Sequence, residues 1–284
     1  MRVGIDTYSY HRFFGEIREG ESDPGIRWTT WDFLDRSIEL AVDGVSLETC
    51  YLNLDEPGFV PRLAERLNEA GLERILAWGH PGGLEVGKSE AKVEDLLRTL
   101  DHAETIESSL MRIVLGTYTH WQQEPEPDSI QRLVPIIRHL CREAEERGIA
   151  LAIETHCVIS VEGLVELLER VEFDSLGVVL DTANVVRVGS DLVEATKRLA
   201  PYTRMLHIKD LDLSEASFGN PGGWWPCVPL GQGDLDLTSA LDVLRKANFD
   251  ELACVEMATL PEGIDEDTAV ADSVVWLRNY VKAA

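Results

Sequence analysis

Nowhere in the chain do apolar residues run to the roughly 20 that a bilayer-spanning helix needs, so no membrane span is expected. Basic residues are scarce: 26 Lys and Arg stand against 51 Asp and Glu, a formal charge of −25. Such a field repels phosphate backbones and anionic head groups, which argues against a nucleic-acid or membrane-surface partner. The acidity itself reads first as solubility. The five cysteines (Cys50, Cys141, Cys157, Cys227, Cys254) are scattered, odd in number and without C-x-x-C spacing. A disulfide frame or zinc knot is thereby excluded, and reduced thiols of a cytoplasmic protein are expected. Met1-Arg2 leads straight into Val3-Gly4-Ile5, so no signal peptide is expected. The turn after that first apolar run, Asp6-Thr7-Tyr8-Ser9-Tyr10, lacks glycine, which removes the phosphate turn of a doubly wound dinucleotide fold.

What the chain does have is alternation. With 284 residues, 44% of them hydrophobic, it can bury a large core. Short aliphatic runs predict buried strands at Val3–Asp6, Gly44–Glu48, Arg74–Gly79, Met111–Gly116, Ala150–His156, Leu176–Asp181, Arg204–His207 and Leu252–Glu256. Between them, periodic apolar patterns predict helices over Trp31–Val42 (capped by Thr30), Phe59–Ala70, Ser89–Ser108, Asp128–Arg147 (capped by Asp128), Val161–Val171, Leu192–Leu199, Leu237–Ala247 and Thr268–Val281. The longest loop spans Leu211–Asp236. Strand and helix alternating eight times over this length predict an α/β fold, a single (β/α)8 TIM barrel across residues 1–284.

A barrel gathers its strand C-termini at one mouth, so polar residues there are informative. Glu154, Asp181, His207 and Glu256 close four consecutive strands, five to eight, and therefore share one arc of the mouth. Three carboxylates and an imidazole suit a hard or borderline divalent ion: Mn²⁺ first, with Mg²⁺, Co²⁺ or Zn²⁺ as the other candidates. Strand-end carboxylates can also merely cap loops or pair with lysines; four in order favour the metal. His80 follows the third strand, and Trp78, Trp121, Trp224 and Trp225 also fall near strand ends, where aromatic faces suit a sugar.

The segments AIETH, VVLDTAN, MLHIKD, PLGQGDLD and CVEM, spread over most of the chain, resemble the xylose-isomerase-like TIM-barrel superfamily of sugar isomerases and epimerases. The resemblance implies one metal held by Glu154, Asp181, His207 and Glu256. From the ketose 3-epimerases it further implies that Glu154 and Glu256 move protons on opposite faces of the substrate carbon. A metal holding the carbonyl and hydroxyl oxygens stabilises the enediolate left when the neighbouring proton departs. A carboxylate on each face then removes and replaces that proton. Members of this superfamily are often dimers or tetramers, which implies a homo-oligomer here.

The chain departs from the ketose 3-epimerases where they clamp sugar oxygens. Asn184 stands in place of a histidine, Leu213 in place of an arginine and Ser160 in place of a glutamate. His156, two residues beyond Glu154, would face the same side of its strand. It is a candidate base for a β-elimination, or a group that steadies the site. Lys209 bears the same relation to His207 and either neutralises an oxyanion or substrate carboxylate or pairs with Asp210. Asn184 is a helix cap or a hydroxyl ligand. His80 is a substrate contact or a solvated loop histidine. Glu48 binds a hydroxyl or forms a salt bridge in the mouth, and Trp225 forms a pocket wall or anchors the long loop. Gly231-Gln232-Gly233 suits a tight turn better than a phosphate loop.

The expected function is a divalent-metal-dependent isomerase or epimerase of a small sugar or sugar derivative. The alternative is a metal-dependent lyase or dehydratase on a keto-sugar, keto-glycoside or keto-cyclitol, with His156 as base. An apurinic endonuclease would need more histidines than Asn184 allows and a less acidic surface, and a non-catalytic sugar sensor leaves Glu154 and Glu256 without a purpose.

Overall fold

The computed structural model describes residues 1–283, and within them the chain forms ten strands: β1 (Arg2–Asp6), β2 (Gly44–Glu48), β3 (Glu73–Trp78), β4 (Leu110–Ile113), β5 (Ala150–Glu154), β6 (Leu176–Asp181), β7 (Thr203–Ile208), β8 (Asp210–Leu211), β9 (Cys227–Val228) and β10 (Leu252–Val255). Eight of these close a parallel barrel in the order β1-β10-β7-β6-β5-β4-β3-β2. β8 and β9 pair antiparallel as a small hairpin outside it. The helices are α1 (Thr30–Glu39), α2 (Phe59–Ala70), α3 (Glu90–Thr105), α4 (Glu126–Glu146), α5 (Val161–Val171), α6 (Thr182–Arg187), α7 (Leu192–Leu199), α8 (Leu237–Lys246) and α9 (Glu266–Ala283). No helix among the described residues is long and apolar enough to cross a membrane.

Successive side chains of a strand point to opposite faces, and the barrel sorts its residues accordingly. Leu151 and Ile153 of β5, Val178 and Leu180 of β6, and Leu206 and Ile208 of β7 join the large apolar core under the helices. The residues between them, Ala152, Val179 and Met205, meet Ile75, Leu110, Leu252 and Cys254 in a separate buried cluster that plugs the barrel. Burying one such aliphatic side chain is worth roughly 1.5–3 kcal/mol. Two residues further along the same inward face the chemistry changes abruptly. Arg112, Glu154, Asp181, His207 and Glu256 stand above the plug, with Asp6 and Glu48 on β1 and β2, and all are buried.

One irregularity sets the register of this ring. Between β6 and β7, Val178 pairs with Thr203 but Val179 pairs with Met205, so β7 carries one extra residue. Without that bulge Asp181 would lie opposite Leu206; with it, Asp181 lies opposite His207.

The helix ends differ from the sequence expectation where capping chemistry intervenes. Thr29, not Thr30, caps α1, in a reciprocal capping box with Asp32. α4 begins two residues before Asp128, behind Pro125 and with a proline in its first turn, where the missing N–H leaves no bond unmade. α6 is not among the helices that the apolar periodicity predicts, and its cap is Asp181 rather than Asn184: the Asp181 side chain accepts the backbone N–H groups of Ala183 and Asn184.

Candidate active site and metal centre

Glu154 and Asp181 are the last residues of β5 and β6, His207 is the penultimate residue of β7, and Glu256 follows β10 directly. One donor atom from each lies within 4.8 Å of the others, and all four residues are buried. His207 Nδ1 is 2.6 Å from Glu256 Oε2 and 3.8 Å from Glu154 Oε1, while its Nε2 faces Asp6 Oδ2 at 3.3 Å. Yet both ring nitrogens and Asp6 Oδ2 are buried without a hydrogen bond, and Glu256 Oε2 has only the Lys209 ammonium beside it at 3.0 Å. Buried polar atoms are rarely left so. Donors that converge without bonding one another fit a divalent cation, and the oxygen-rich set with one imidazole is the chemistry such an ion takes.

The charges around the cluster point the same way. Burial raises the Asp181 carboxyl; Lys209 offsets this only in part, and the Glu256 and Glu154 charges add to it. Burial opposes ionisation of Glu154 too, but the Arg112 and His207 charges hold it well below the usual carboxylate range. Burial likewise opposes ionisation of Glu256, which Lys209 and His207 bring down to about 2. For His207, burial disfavours the charged ring, and the carboxylates around it raise it well above the ordinary value. Five carboxylates stand in the mouth, Asp6, Glu48, Glu154, Asp181 and Glu256, against Arg112, Lys209 and His207.

Lys209 does not pair with Asp210. Its Nζ reaches Asp181 Oδ2 at 2.6 Å and Glu256 Oε2 at 3.0 Å, because Lys209, just past the end of β7 and two residues beyond His207, keeps the same inward side. Asp210 instead points outward and accepts the backbone N–H groups of Gly231, Gly233 and Leu235. Asn184 caps nothing. It lies inside α6 and its Nδ2 donates to Asp181 Oδ2 at 2.9 Å and Glu154 Oε1 at 3.2 Å, steadying two of the four clustered residues.

His156 lines the same cavity as Glu154, Lys209 and Glu256, and its Nδ1 is buried with no partner. Burial lowers its pKa to about 4 against the pull of Glu154, with Arg187, Lys209 and Arg112 lowering it further. His80 also lines the cavity, and its Nε2 is shared by both oxygens of Glu16 at 3.0 Å. Glu48 is paired with Arg112 Nη2.

Trp225 is not a wall of this cavity. It is buried in its own loop, where its Nε1 donates to Asn220 O at 2.9 Å and Phe218 packs edge-on against it. Trp78 turns outward to Asp95, Trp121 lines a neighbouring groove of about 720 Å³, and Trp224 packs over Gly20. The apolar bulk of an indole favours these wrapped positions over the charged centre.

Asp6, Tyr8, Glu16, Arg18, Arg112 and Arg187 belong to the site as well and were not singled out in the sequence. Arg112 carried a signal: an arginine in the middle of the apolar run Leu110-Met111-Arg112-Ile113 must have buried partners. They are Glu48 and, at 3.3 Å, Glu154.

A family profile described as xylose isomerase-like TIM barrel matches residues 20–280. The chain belongs to that family. The Escherichia coli (strain K12) protein YihM, described as uncharacterized, is 30% identical over 109 residues, 38% of this chain and 32% of YihM. The match therefore spans about a third of that relative's length. Among solved structures, the IolI protein with a bound zinc atom shares 17% identity at TM-score 0.78, covering 100% of this chain and 99% of that one. The probable 3-DHS dehydratase AsbF from Bacillus anthracis shares 18% at 0.75, covering 98% and 99%. An L-ribulose 3-epimerase shares 17% at 0.75, covering 99% and 95%. At these identities the likeness is one of fold.

Proposed function

We propose that the protein is a divalent-metal-dependent isomerase or epimerase of a small sugar or sugar derivative, transferring a proton beside a carbonyl. One arrangement carries this reading. The strand order β10-β7-β6-β5 puts Glu256 and Glu154 at the two ends of the four-residue arc, with both carboxylates lining one cavity. A substrate carbon held between them has a carboxylate on each face. One removes the proton and the other returns it, a pairing that supports inversion at that carbon or transfer to its neighbour. A divalent ion in the cluster would supply electrostatic stabilisation of the oxyanion formed when the proton leaves. Glu154, Asp181, His207 and Glu256 would hold it, with Asn184 orienting Asp181 and Glu154 and Asp6 facing His207. Mn²⁺ is the ion we propose from the donor set, with zinc the second choice because the IolI neighbour carries it.

His80, Lys209 and Glu48 remain in the proposed substrate surface, with Tyr8 and Arg18 beside His80. We place the enzyme in the cytoplasm, where its five free cysteines stay reduced, and as a homo-oligomer after the habit of its family. The test is exchange: incubation of Mn²⁺-loaded protein with ketoses, keto-acids and keto-inositols in D₂O. Deuterium gained without other mass change supports the reading; loss of water from the product replaces it with the second one.

That second reading, a lyase or dehydratase, is favoured by His156. Its unpartnered Nδ1 lines the cavity two residues from Glu154, where it can take a proton while a β-hydroxyl leaves. The fold neighbour described as a probable dehydratase gives it further support.

A further inference from the structure

Four buried or half-buried cations line the mouth: Arg18, Arg112, Lys209 and Arg187. Three of them face carboxylates within the chain, Arg18 meeting Glu16 at 3.9 Å. Arg112 lies between Glu48 and Glu154, and Lys209 between Asp181 and Glu256. Arg187, the last residue of α6, is different. Its Nε donates to Pro221 O at 2.9 Å, Nη2 donates to the same carbonyl, and Nη1 donates to Asn184 Oδ1 at 3.0 Å. Every one of these acceptors is neutral, and among the described residues no carboxylate forms an ion pair with Arg187.

In a chain with 51 acidic residues against 26 basic ones, a guanidinium turned into a cavity and left without a counter-charge is against the odds of composition. Half-burying a cation without a counter-charge costs free energy that neutral acceptors offset only in part. Asn184 sorts the cavity electrically: its Nδ2 faces Asp181 and Glu154, and its Oδ1 faces Arg187. On one side of that amide lies the carboxylate cluster. On the other lie a guanidinium held only by neutral acceptors and the unpartnered His156 Nδ1, both residues lining the same cavity. The excess surface charge does not cancel this, because it is screened over about 8 Å at physiological salt whereas a half-buried cation is screened far less.

We propose that Arg187 receives a fixed negative charge on the substrate, so that the sugar handled by this site is an anionic one, a sugar acid or a sugar phosphate. The carbohydrate part of this inference rests on the function proposed above; the anion part rests on Arg187. A guanidinium fork binds carboxylate and phosphate oxygens in pairs, and with one face already held by Pro221 O and Asn184 Oδ1 the side chain is pre-positioned. The competing account is purely structural: Arg187 ties the 211–236 loop to α6 through Pro221 and binds nothing.

Equilibrium binding separates the two. The probes are glucose, glucuronate and glucose 6-phosphate, with galactose and galacturonate as a second matched pair. They are titrated against tryptophan fluorescence in Mn²⁺-loaded wild type, Arg187→Met and Arg187→Lys. At least one charged member is expected to bind wild type about tenfold or more tightly than its neutral parent. In R187M that preference is expected to fall to within about twofold, and R187K, which keeps the charge and loses the fork, to retain part of it. Tighter binding of the phosphate than of the uronates assigns a phosphoryl group; the reverse assigns a carboxylate. Equal binding of charged and neutral sugars by wild type, a preference unchanged in R187M, or no binding of any charged probe overturns the proposal. The deuterium-exchange test is read independently. A charge preference without exchange keeps Arg187 as anion receptor and sinks the isomerase reading, and exchange confined to neutral sugars does the opposite.

Discussion

His207 Nδ1 stands 2.6 Å from Glu256 Oε2 without hydrogen-bond geometry between them, and the other close partner of that oxygen is the Lys209 ammonium at 3.0 Å. Two buried polar atoms that approach so closely without bonding are aimed at a common third point rather than at each other. The relationship explains why the surrounding residues are so heavily braced. Asn184, Lys209 and Arg112 each touch two carboxylates of the ring, fixing rotamers that would otherwise splay apart under their own repulsion.

A bound ion should therefore stabilise the fold as well as the reaction. At about 100 times its dissociation constant an ion contributes roughly 2.7 kcal/mol, which for a chain of 284 residues moves Tm by about 4–5 °C. Melting curves with EDTA, then with Mn²⁺ or Zn²⁺ restored, should differ by that amount in wild type. In His207→Ala the shift should vanish. Identical curves in all conditions would remove the metal from the site.

Arg112 is expected to be the least replaceable side chain of the mouth. It is 2% exposed and serves Glu48 and Glu154 together. Arg112→Met leaves two buried carboxylates facing each other, a loss of about 3–5 kcal/mol. Adding Glu48→Gln removes one of the stranded charges, so the double variant should recover part of that loss. Urea denaturation of the four proteins in the cycle measures it, and simple additivity would show that the pair does not interact.

Much of this was legible in the strand ends. Glu154, Asp181, His207 and Glu256 close apolar runs, and a closed parallel barrel has only one place to bring such residues. What escaped reading follows from parity. Asp6 and Arg112 lie on the same inward face as the four, yet no feature of the sequence states which face of a buried strand is inward when both are apolar. The Val178/Val179 register shift is invisible for the same reason, because the extra residue in β7 leaves the apolar run intact. Trp225 takes the second of its two readings, the loop anchor, because a tryptophan in a glycine-rich loop satisfies its indole N–H as readily within the loop as at a ligand. Arg187 sits one helix beyond the strand end, on an α6 that only the Asp181 cap creates.

Acid should unfold the mouth through Glu16. Burial raises its pKa, but hydrogen bonds from His80 and Tyr51 and the charge of Arg18 outweigh burial and carry it from the ordinary 4.5 to about 2. A folded value below the unfolded one means stability that is complete above pH 4.5 and lost as pH falls towards 2. Discounted for the 31% exposure of the side chain, the contribution is roughly 1–2 kcal/mol. The stability gap between wild type and Glu16→Gln should thus be widest at pH 5–7, narrow below pH 4.5 and be nearly closed by about pH 2. A gap that stays constant across that range would show that Glu16 is not held ionised by its neighbours.

The long loop makes the last case. Gly231-Gln232-Gly233 forms an anion-binding turn, and the anion is the chain's own Asp210 carboxylate. It accepts N–H groups from Gly231 at 2.9 Å, Gly233 at 3.0 Å and Leu235 at 3.2 Å, as well as from Leu211 at 3.0 Å. Asp210→Ala strands those donors and should cost about 3–5 kcal/mol, with faster proteolysis within 211–236. Gly233 is small for the same reason, since a Cβ there would run into the Asp210 carboxylate and Leu211 O. Gly233→Ala should therefore destabilise wild type by more than about 1 kcal/mol. In the Asp210→Ala background it should cost less, because one of its two obstacles is gone, and the two changes should couple by about 0.5–3 kcal/mol. Independent, additive losses would mean that the glycines serve only the turn, and that the carboxylate is a bystander in it.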